Sequence, residues 1–357
     1  MKRRIGILTS GGDCPGLNAC IRGVARASYS MFDTEIVGIQ DGYAGLIAGD
    51  YKEMKQSDFS GILTLGGTIL GTRRTPFRNM RVIEDDNVDK VKEMKSNYRK
   101  MKLDCLVCLG GNGTHKTANL LSEEGLHVVS LPKTIDNDIW GTDVTFGFHT
   151  AVDIATEVID RIHTTAASHG RCMVVEIMGN KAGWLTLYSG IAGGADIVLL
   201  PEIPYDLEKV CDAIRRRAEM GKTFSIVAVA EGAMTVEEAQ MKKKERMAYR
   251  AETGFSSIAM RIAKELEAKV GVEARAVIPG HVQRGGTPSA YDRMLSTVFG
   301  VHAAKLIAGE EYGQAVGMAG NTVTHHPLSE VAGKTKFVPN DAQAIRAARA
   351  MGISLGD

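Results

Sequence analysis

Short apolar segments, each ending in glycine or polar residues, recur along the chain and constrain its fold more than any other feature. The apolar residues in them are continuous, which is typical of strands buried on both faces of a parallel sheet. Helical patterns lie between them, as in residues 151–163, whose apolar positions form one stripe. This alternation predicts an α/β fold with open, mainly parallel sheets. The predicted strands cover residues 3–12, 35–42, 104–111, 127–133, 172–179, 196–202, 224–232 and 274–281.

The length and charge of the chain narrow its organisation and its partners. At 357 residues it exceeds most single compact cores, so two lobes are predicted. Its 43 Lys and Arg residues balance 42 Asp and Glu residues, which argues against nucleic acid or an anionic membrane as the main partner. No apolar run is long enough to span a bilayer, and the N-terminal segment MKRRIGILTSGGD has the pattern of a first strand, not of a signal peptide.

The six cysteines include one CxxC pair, Cys105 and Cys108, within a segment that has the pattern of a buried strand. Residues three apart on a strand point to opposite faces, so this pair cannot chelate one metal ion. We therefore interpret the cysteines as small core residues of a reduced, cytoplasmic protein.

Glycine and polar residues follow most of the predicted strands. Ligands of open α/β folds bind outside the carboxyl ends of the strands, so these residues are expected to converge on one cleft. Glycines, carboxylates, basic groups and a histidine together suit a site that handles a phosphate and a nucleophile. They are Gly11 to Asp13, Gly110 to Thr114, Lys133 to Asp138, Met178 with Gly179, Glu231, and His281 to Arg284.

The segment PKTIDNDIWGTD, residues 132–143, is the most informative of these. Asp136 and Asp138 are two residues apart, so in an extended chain they share a face. One carboxylate would serve as a base toward a hydroxyl while the other organises a cation or an arginine. A surface turn rich in Asp and Asn is the alternative, but Lys133 and Thr134 at the strand end favour a function.

Two glycine turns, TSGGDCPGLNA at residues 9–19 and LGGNGT at residues 109–114, join a strand to a helix. Backbone N–H groups in such turns can approach a phosphate closely. For a glycine pair alone, a plain tight connection is the favoured interpretation, and the second turn alone is also weak evidence. The first turn matches neither the fingerprint of a dinucleotide fold nor that of a P-loop. The occurrence of both in one predicted sheet favours a phosphate site.

Two further segments carry basic residues near strand ends or turns. The loop GTRRTPFR, residues 71–78, suits a phosphate clamp, although a solvated basic loop is an equal alternative. In PGHVQRGG, residues 279–286, His281 and Arg284 are three apart and could hold an anion, with a capped helix start as the alternative. The basic run within residues 236–268 is interpreted as a solvated helix face.

Taken together, these motifs closely resemble the 6-phosphofructokinase family. The matching segments occur in the family's order across roughly residues 3–300, and TIDND combined with GHVQRGG is the most specific part. They are GILTSGGDCPGLNA, GGTILGTRR, LGGNGT, PKTIDND, ASHGR, VVEIMG, AEG and PGHVQRGG.

The resemblance implies two Rossmann-like lobes with the active site in the cleft between them. Residues 1–150 and about 265–320 would form a larger lobe with the phosphate-donor site. Residues 151–264 would form a smaller lobe with the sugar-phosphate site, and residues 321–357 would pack back on the lobes. The family implies a homotetramer whose substrate sites are shared between subunits.

The resemblance also supplies roles for individual residues. Asp136 matches the base that takes the proton from the sugar's 1-hydroxyl, Thr134 matches a residue that positions that hydroxyl, and Lys133 joins them as a catalytic residue. Arg171 and Arg275 match arginines that reach the sugar phosphate of a neighbouring subunit. The other matched sugar-phosphate contacts are Met178, Gly179, Glu231, His281 and Arg284. The matched phosphate-donor residues are Gly11, Arg74, Thr75, Gly111, Asn112, Gly113 and Thr114.

The chain departs from the family's pattern around the donor site. Asn112 replaces the usual magnesium-linked aspartate, so Mg²⁺ is expected with weak ligands only, Asn112 and Asp138. Asn180 replaces an arginine that stabilises the transition state in many ATP-dependent members. Lys133 is common in pyrophosphate-dependent members, whereas Gly113 is not, and their combination resembles a mixed subgroup that mostly uses ATP. We expect Lys133 or Lys181 to supply the charge lost at Asn180.

The sequence therefore favours an ATP- and Mg²⁺-dependent glycolytic kinase that converts fructose 6-phosphate to fructose 1,6-bisphosphate. Its partners would be ATP and fructose 6-phosphate, and neither nucleic acid nor a membrane is expected as a partner. Two alternatives stay open at this point. One is a pyrophosphate-dependent enzyme, or a kinase of another sugar phosphate such as sedoheptulose 7-phosphate. The other is a catalytically weakened regulatory subunit.

Overall fold

The computed structural model describes residues 2–83 and 88–357 of the chain. The chain divides into two compact units, each of which contains one β-sheet. The first unit comprises Met1–Thr150 and Arg284–Lys336, and the second comprises Ala151–Gln283 and Phe337–Asp357.

The described residues form eleven strands. In chain order these are β1 (Arg3–Ser10), β2 (Thr34–Ile39), β3 (Tyr51–Met54), β4 (Cys105–Gly110), β5 (Val128–Pro132), β6 (Cys172–Ile177), β7 (Ile197–Leu199), β8 (Ser225–Ala230), β9 (Ala274–Val277), β10 (Gln314–Ala319) and β11 (Thr322–Pro327).

They also form thirteen α-helices. These are α1 (Leu17–Met31), α2 (Tyr43–Ala48), α3 (Lys90–Lys100), α4 (Asn112–Glu123), α5 (Phe148–His169), α6 (Trp184–Ala192), α7 (Leu207–Glu219), α8 (Val236–Gln240), α9 (Lys243–Glu252), α10 (Ile258–Val270), α11 (Ala290–Ala308), α12 (Leu328–Val331) and α13 (Gln343–Ala350). Short 3-10 helices cover Gln56–Phe59, Phe77–Asn79 and Gly280–Arg284.

The first unit is built on a seven-stranded sheet with the order β11-β10-β5-β4-β1-β2-β3. Its central pairs are parallel, and the edge strands β3 and β11 pair antiparallel with β2 and β10. The core of this unit includes Leu8, Val37, Leu106 and Val128, which are fully buried. Such complete burial explains why the central strands lack polar alternation.

The second unit is built on a four-stranded, entirely parallel sheet with the order β7-β8-β6-β9. Val174, Val227 and Leu199 from its strands are buried against Ile262 and Leu266 of α10. Helix α10 begins after Ser257, whose hydroxyl accepts the N–H of Met260, and ends at Gly271 in the left-handed conformation.

The expected α/β fold with mainly parallel sheets is confirmed, and each predicted strand corresponds to one observed strand, from β1 to β9 without β3. The sequence did not reveal β3, β10 and β11. On the sheet edges β3 is largely exposed and β11 is only partly buried, so their residues lack the continuous apolar pattern.

The lobe boundaries expected from the sequence differ in part from the observed units. Residues 265–283 were assigned to the larger lobe, whereas they belong to the second unit, because α10 and β9 pack against β6 there. The predicted C-terminal segment, residues 321–357, is divided between the two units. Residues 321–336 belong to the first unit, and Phe337–Asp357 belongs to the second.

The basic stretch of residues 236–268 forms three helices, α8, α9 and α10. Lys243 and Lys244 of α9 are exposed, as expected for a solvated helix face. Across residues 2–83 and 88–357, no helix has both the length and the apolar character that crossing a membrane requires.

Candidate active site

Three neighbouring strands of the first unit end at the same level of the sheet. Ser10 at the end of β1 pairs with Gly110 at the end of β4, and Gly110 pairs in turn with Pro132 at the end of β5. The segments that follow them therefore emerge side by side. These segments are the two glycine turns and the loop from Lys133 to Asp138, which the sequence predicted to converge.

The first glycine turn lies directly against two basic side chains. Gly11 has a φ of 88°, a conformation that favours glycine, and its carbonyl accepts the Thr72 hydroxyl at 2.7 Å. The Lys133 ammonium donates a hydrogen bond to the Gly12 carbonyl. A Cβ atom added at Gly12 would lie 2.7 Å from Arg284 Nη1, so the end of the arginine side chain lies close against the turn and would have to shift for a larger residue.

Lys133 combines a cationic side chain with almost complete burial, since only 4% of its surface is exposed. Burial is the main cause that lowers its pKa, and the charges of Cys14 and Asp136 partly offset it. Its backbone N–H donates to the Gly110 carbonyl at 3.0 Å, which ties the start of the loop to the end of β4.

The second glycine turn leads into α4, which begins at Asn112 within the LGGNGT segment itself. Gly113 in the first turn of this helix is exposed, and a Cβ atom added there would meet no atom within 4 Å. Thr114 is turned the other way: it is buried, and its hydroxyl donates to the Ser10 carbonyl at 3.4 Å. The open N-terminal amides of α4 suit an anion.

Asn112 and Asp138, expected as weak metal ligands, contact each other. Asn112 Nδ2 donates to Asp138 Oδ2 at 3.0 Å and to the Asp138 carbonyl at 3.2 Å. Asn112 Oδ1 is buried and has no hydrogen-bond partner among the described residues. Burial raises the pKa of Asp138, while the Asn112 amide acts in the opposite direction.

These two side chains fit a magnesium ion with few protein ligands. Asn112 Oδ1 is an unsatisfied amide oxygen, and Mg²⁺ prefers oxygen ligands but keeps several waters or phosphate oxygens of its own. Within the described part of the chain, no three His, Cys, Asp or Glu side chains cluster as a metal-binding group. The described residues therefore do not form a protein cage for a metal ion. They fit a partly hydrated ion whose other ligands come from water or phosphate.

Thr134 and Asp136 form a tight local turn. The Asp136 N–H donates to the Thr134 hydroxyl oxygen at 3.0 Å, and the Thr145 hydroxyl donates to the Thr134 carbonyl at 2.7 Å. The side chains of Thr134 and Asp136 are partly exposed, whereas Ile135 between them is buried. The alternation of a strand-like segment thus keeps Thr134 and Asp136 accessible to a ligand.

Arg74 and Thr75 lie in the Gly71–Pro76 loop of the first unit. Arg74 is exposed and Thr75 is partly buried. The same loop contributes Thr72, whose hydroxyl contacts Gly11. The loop is therefore anchored on the first glycine turn, which keeps its arginines in that neighbourhood.

In the second unit, the predicted residues that follow β6 and β8 form one hydrogen-bonded group. Glu231 Oε1 accepts the N–H groups of Gly179 at 3.3 Å and Asn180 at 2.6 Å. The N–H of Met178 donates to Gln283 Oε1 at 3.2 Å. The turn after β6 is thus held from both sides by polar side chains.

His281 and Arg284 share one 3-10 helix but belong to different units, with His281 in the second and Arg284 in the first. The side chain of His281 is exposed and that of Arg284 is half-buried beside Gly12. The anion site that the spacing of these two residues suggested therefore stays a prediction.

Arg171 and Arg275, predicted to reach a sugar phosphate, are both engaged by Glu273. Arg171 Nε lies 2.9 Å from Glu273 Oε2, and Arg275 also contacts the Glu273 carboxylate. The hydrogen bond from Arg171 is the main cause that lowers the pKa of Glu273. Glu267 forms a further ion pair with Arg275 at 2.9 Å.

Two further residues within these motifs were not predicted from the sequence. Gln283 is fully buried and holds the Met178 amide, and Asn137 is buried between the two aspartates of TIDND with a φ of 51°. The signal for Asn137 was its type, because asparagine adopts the left-handed conformation more readily than most residues. Gln283 carried no comparable signal.

Comparisons with known proteins identify the family of the chain. The family model described as Phosphofructokinase matches residues 4–307. The chain is 55% identical to an ATP-dependent 6-phosphofructokinase of Spirochaeta thermophila, over 99% of this chain and 98% of that protein. It is 48% identical to ATP-dependent 6-phosphofructokinase 3 of Bacteroides thetaiotaomicron, over 99% of this chain and 100% of that protein.

Solved structures lead to the same family. The phosphofructokinase of Pichia pastoris in the T-state has a TM-score of 0.79 and 34% identity, and the match covers 93% of this chain and 35% of that chain. A pyrophosphate-dependent phosphofructokinase of Nitrosospira multiformis shares the fold with a TM-score of 0.82 at 18% identity, over 99% of this chain and 92% of that chain. The match to the family model and the full-length relatives together show that the chain belongs to the phosphofructokinase family.

Proposed function

We propose that the chain is an ATP-dependent 6-phosphofructokinase, which transfers the terminal phosphoryl group of ATP to the 1-hydroxyl of fructose 6-phosphate in glycolysis. The observation that carries the proposal is the common level at which β1, β4 and β5 end. It places two glycine turns, suited to phosphates, beside the loop that carries Asp136. Relatives that cover the full chain and are named for this activity support the choice of both substrates.

Asp136 is the proposed general base. Phosphoryl transfer needs in-line placement, charge neutralisation and a base, and little covalent help from the protein. Asp136 must be ionised and within hydrogen-bond reach of the sugar's 1-hydroxyl, so it does not need a raised pKa. Thr134 accepts the Asp136 N–H through its hydroxyl, which supports a role in orienting the same hydroxyl group of the sugar.

The donor phosphates are proposed to lie against the two glycine turns. The α4 N-terminus, the half-buried Arg284 and the buried Lys133 supply positive potential there, and Arg74 with Thr75 would close the site from the Gly71–Pro76 loop. Gly113 supports ATP over pyrophosphate, because glycine has no charged side chain and a Cβ atom added there would meet no atom within 4 Å.

Magnesium is proposed as the cofactor, held by Asn112 Oδ1 and the Asp138 carboxylate in part through water. When bound, it neutralises charge on the phosphates of the donor. The buried and unsatisfied oxygen of Asn112 supports this assignment. Asn112 and Asp138 would thereby also orient the donor relative to the glycine turns.

The sugar phosphate is proposed to contact Met178, Gly179, Glu231, His281 and Arg284. Arg171 and Arg275 would reach the sugar phosphate of a neighbouring subunit, as the family's homotetramers imply. Family membership supports this assembly, with substrate sites shared between subunits, and a cytoplasmic location.

The test is to incubate purified protein with ATP, Mg²⁺ and fructose 6-phosphate and to identify the product by ³¹P NMR. We expect a second phosphate ester at carbon 1 of the sugar. Sedoheptulose 7-phosphate serves as the competing acceptor. Faster turnover of that sugar, or no phosphorylated product at all, would contradict the proposal.

A further inference from the structure

The segment Lys334–Lys336 lies against the loop that carries Asp136, although the family model ends at residue 307. Thr335 forms a short antiparallel bridge with Ile139, and the Lys336 N–H donates to the Asp138 carbonyl at 2.8 Å. The Lys334 ammonium lies 4.3 Å from the centre of the Trp140 ring. A part of the chain beyond the family match therefore borders the TIDND motif directly.

Lys336 makes the most extensive of these contacts. Its ammonium donates to the Thr142 carbonyl at 2.7 Å, to the Asp143 carbonyl at 2.9 Å and to Asn137 Oδ1 at 3.1 Å. An ammonium has three N–H groups, and these three acceptors match that number. The side chain thus joins two parts of the loop that no helix or strand holds together.

Asn137 is the point where these contacts meet the candidate catalytic residues. It lies between Asp136 and Asp138, is 4% exposed, and has a left-handed backbone with a φ of 51°. Its Oδ1 accepts the N–H of Thr145 at 3.0 Å as well as the Lys336 ammonium. Its Nδ2 donates to the Asp143 carbonyl at 3.3 Å.

The backbone conformation of Asn137 sets the directions in which the side chains of Asp136 and Asp138 extend from the chain. Left-handed backbone is unfavourable for a residue with a Cβ atom and persists only where the surrounding contacts hold it. Here the holding contacts come from Thr145, Asp143 and Lys336. Of these, only Lys336 comes from outside residues 133–145.

We propose that Lys336 is a positioning residue for phosphoryl transfer, which holds Asn137 and the carbonyls of Thr142 and Asp143 and thereby fixes the loop that presents Asp136. The inference rests on the proposed function, because Asp136 acts as a base only in that function. It extends the machinery of the reaction to a C-terminal residue that does not itself touch the reacting atoms. Small misplacements of a catalytic group lower the rate of the chemical step more than they weaken ground-state binding.

The experiment compares Lys336→Met with Lys334→Met in the full-length protein. Lys336→Met keeps the length of the side chain and removes all three donors. We expect kcat to fall about 30-fold while KM for ATP and for fructose 6-phosphate stays within about threefold, since displacement by about 1 Å can cost up to 100-fold in rate. Lys334→Met, in the same segment, should keep wild-type kcat.

Rescue separates positioning from general packing. Lys336→Arg keeps the charge and the donors and should restore kcat to within about fivefold of wild type. Lys336→Gln keeps two donors and should give an intermediate kcat, and it serves as the test variant if Lys336→Met does not fold. Unchanged kcat in the Met and Gln variants, or an equal loss in Lys334→Met, would overturn the inference.

Amide hydrogen exchange gives a second readout that needs no enzyme activity. The Thr145 N–H, which donates to Asn137, should exchange faster in Lys336→Met than in Lys334→Met, because its acceptor is no longer held. Equal exchange in the two variants would overturn the positioning role even in an active enzyme. A wild-type protein without kinase activity but with this difference in exchange would overturn the proposed function instead.

Discussion

Two buried candidate residues of the first unit and two exposed candidate residues of the second differ in how firmly the protein holds them before any ligand binds. In the first unit, Lys133 and Asp138 are 4% and 8% exposed, and hydrogen bonds link them to the glycine turn and to Asn112. In the second unit, His281 and Arg275 are exposed, and Arg275 is neutralised by surface carboxylates.

This difference separates two tasks. Buried, hydrogen-bonded groups have lost their conformational freedom during folding, so they add little entropy cost when the reaction occurs. The exposed Arg275 is paired with Glu267 and Glu273, so it can exchange these surface partners for a charged ligand. We therefore propose that the chemical step belongs to the first unit and most of the sugar-phosphate recognition to the second.

The largest expected effect tests the first half of this comparison. Asp136→Ser removes the proposed base, so kcat should fall about 1000-fold or more, within the range attributed to general base catalysis. KM for fructose 6-phosphate should change by less than about threefold if Asp136 acts mainly on the chemical step. An active Asp136→Ser enzyme in a steady-state assay would remove the base assignment.

The next test asks which unit supplies the positive charge that an arginine at position 180 would provide. Replacing both Lys133 and Lys181 by alanine should lower kcat about 100-fold, a loss typical of removing one electrostatic stabiliser. Because Lys133 is buried beside Gly12 and Lys181 is exposed, Lys133→Ala alone should account for most of the loss. Unchanged kcat in the double variant would end this explanation, and a large loss in Lys181→Ala alone would reverse the assignment.

A change at Gly113 tests whether open space at the donor site determines the donor. Gly113→Asp places a carboxylate next to the proposed phosphate position, and like charges repel, so KM for ATP should rise about 10-fold. Gly113→Ala is the matched control, because its Cβ would meet no atom within 4 Å and should leave KM within about twofold. Equal values for the two variants would show that charge at this position does not affect the donor.

A smaller effect is expected from Asn112→Asp. The new carboxylate would face Asp138 Oδ2, where the Asn112 amide now donates at 3.0 Å, and the two negative charges would attract a cation. Activity should remain, the half-saturating Mg²⁺ concentration should fall about threefold, and added Mg²⁺ should raise the melting temperature more than in wild type. An inactive variant would mean that the neutral residue is itself essential.

The smallest effect concerns the ion pairs of Arg171 and Arg275 in the second unit. Glu273→Gln removes the carboxylate that engages Arg171 and Arg275, so KM for fructose 6-phosphate should fall by about threefold or less with unchanged kcat. Glu267→Gln, which removes one of the two carboxylates on Arg275 and leaves Arg171 paired, is the matched control and should have a weaker effect. A fall in kcat in Glu273→Gln would place these arginines in the chemical step and weaken the comparison.

The sequence revealed the parts of the molecule that local chemistry determines. The central strands and the turns after them could be recognised because complete burial and tight turns leave strong signals in residue type. Edge strand β11 and the contact between Lys336 and Asn137 were not visible. They depend on which distant segments meet, and a lysine in a polar segment looks the same whether or not it donates to a buried asparagine.

The candidate site shows the same limit within one motif. TIDND identified Asp136 and Asp138 as a pair on one face, but their side chains lie in different surroundings. Asp136 is partly exposed, whereas Asp138 is buried against Asn112. The spacing does not distinguish the two carboxylates. Packing does, because it leaves Asp136, the proposed base, accessible to substrate and buries Asp138, the proposed cation ligand.

The most direct test of the proposed activity is the initial rate of fructose 6-phosphate phosphorylation with ATP and with pyrophosphate, each with and without Mg²⁺. We expect turnover with ATP and Mg²⁺ to exceed turnover with pyrophosphate at least about 100-fold, because the uncharged, open position of Gly113 admits a nucleotide. Chelation of Mg²⁺ should abolish the reaction. Faster turnover with pyrophosphate, or full activity with ATP after chelation, would contradict the proposed donor and cofactor.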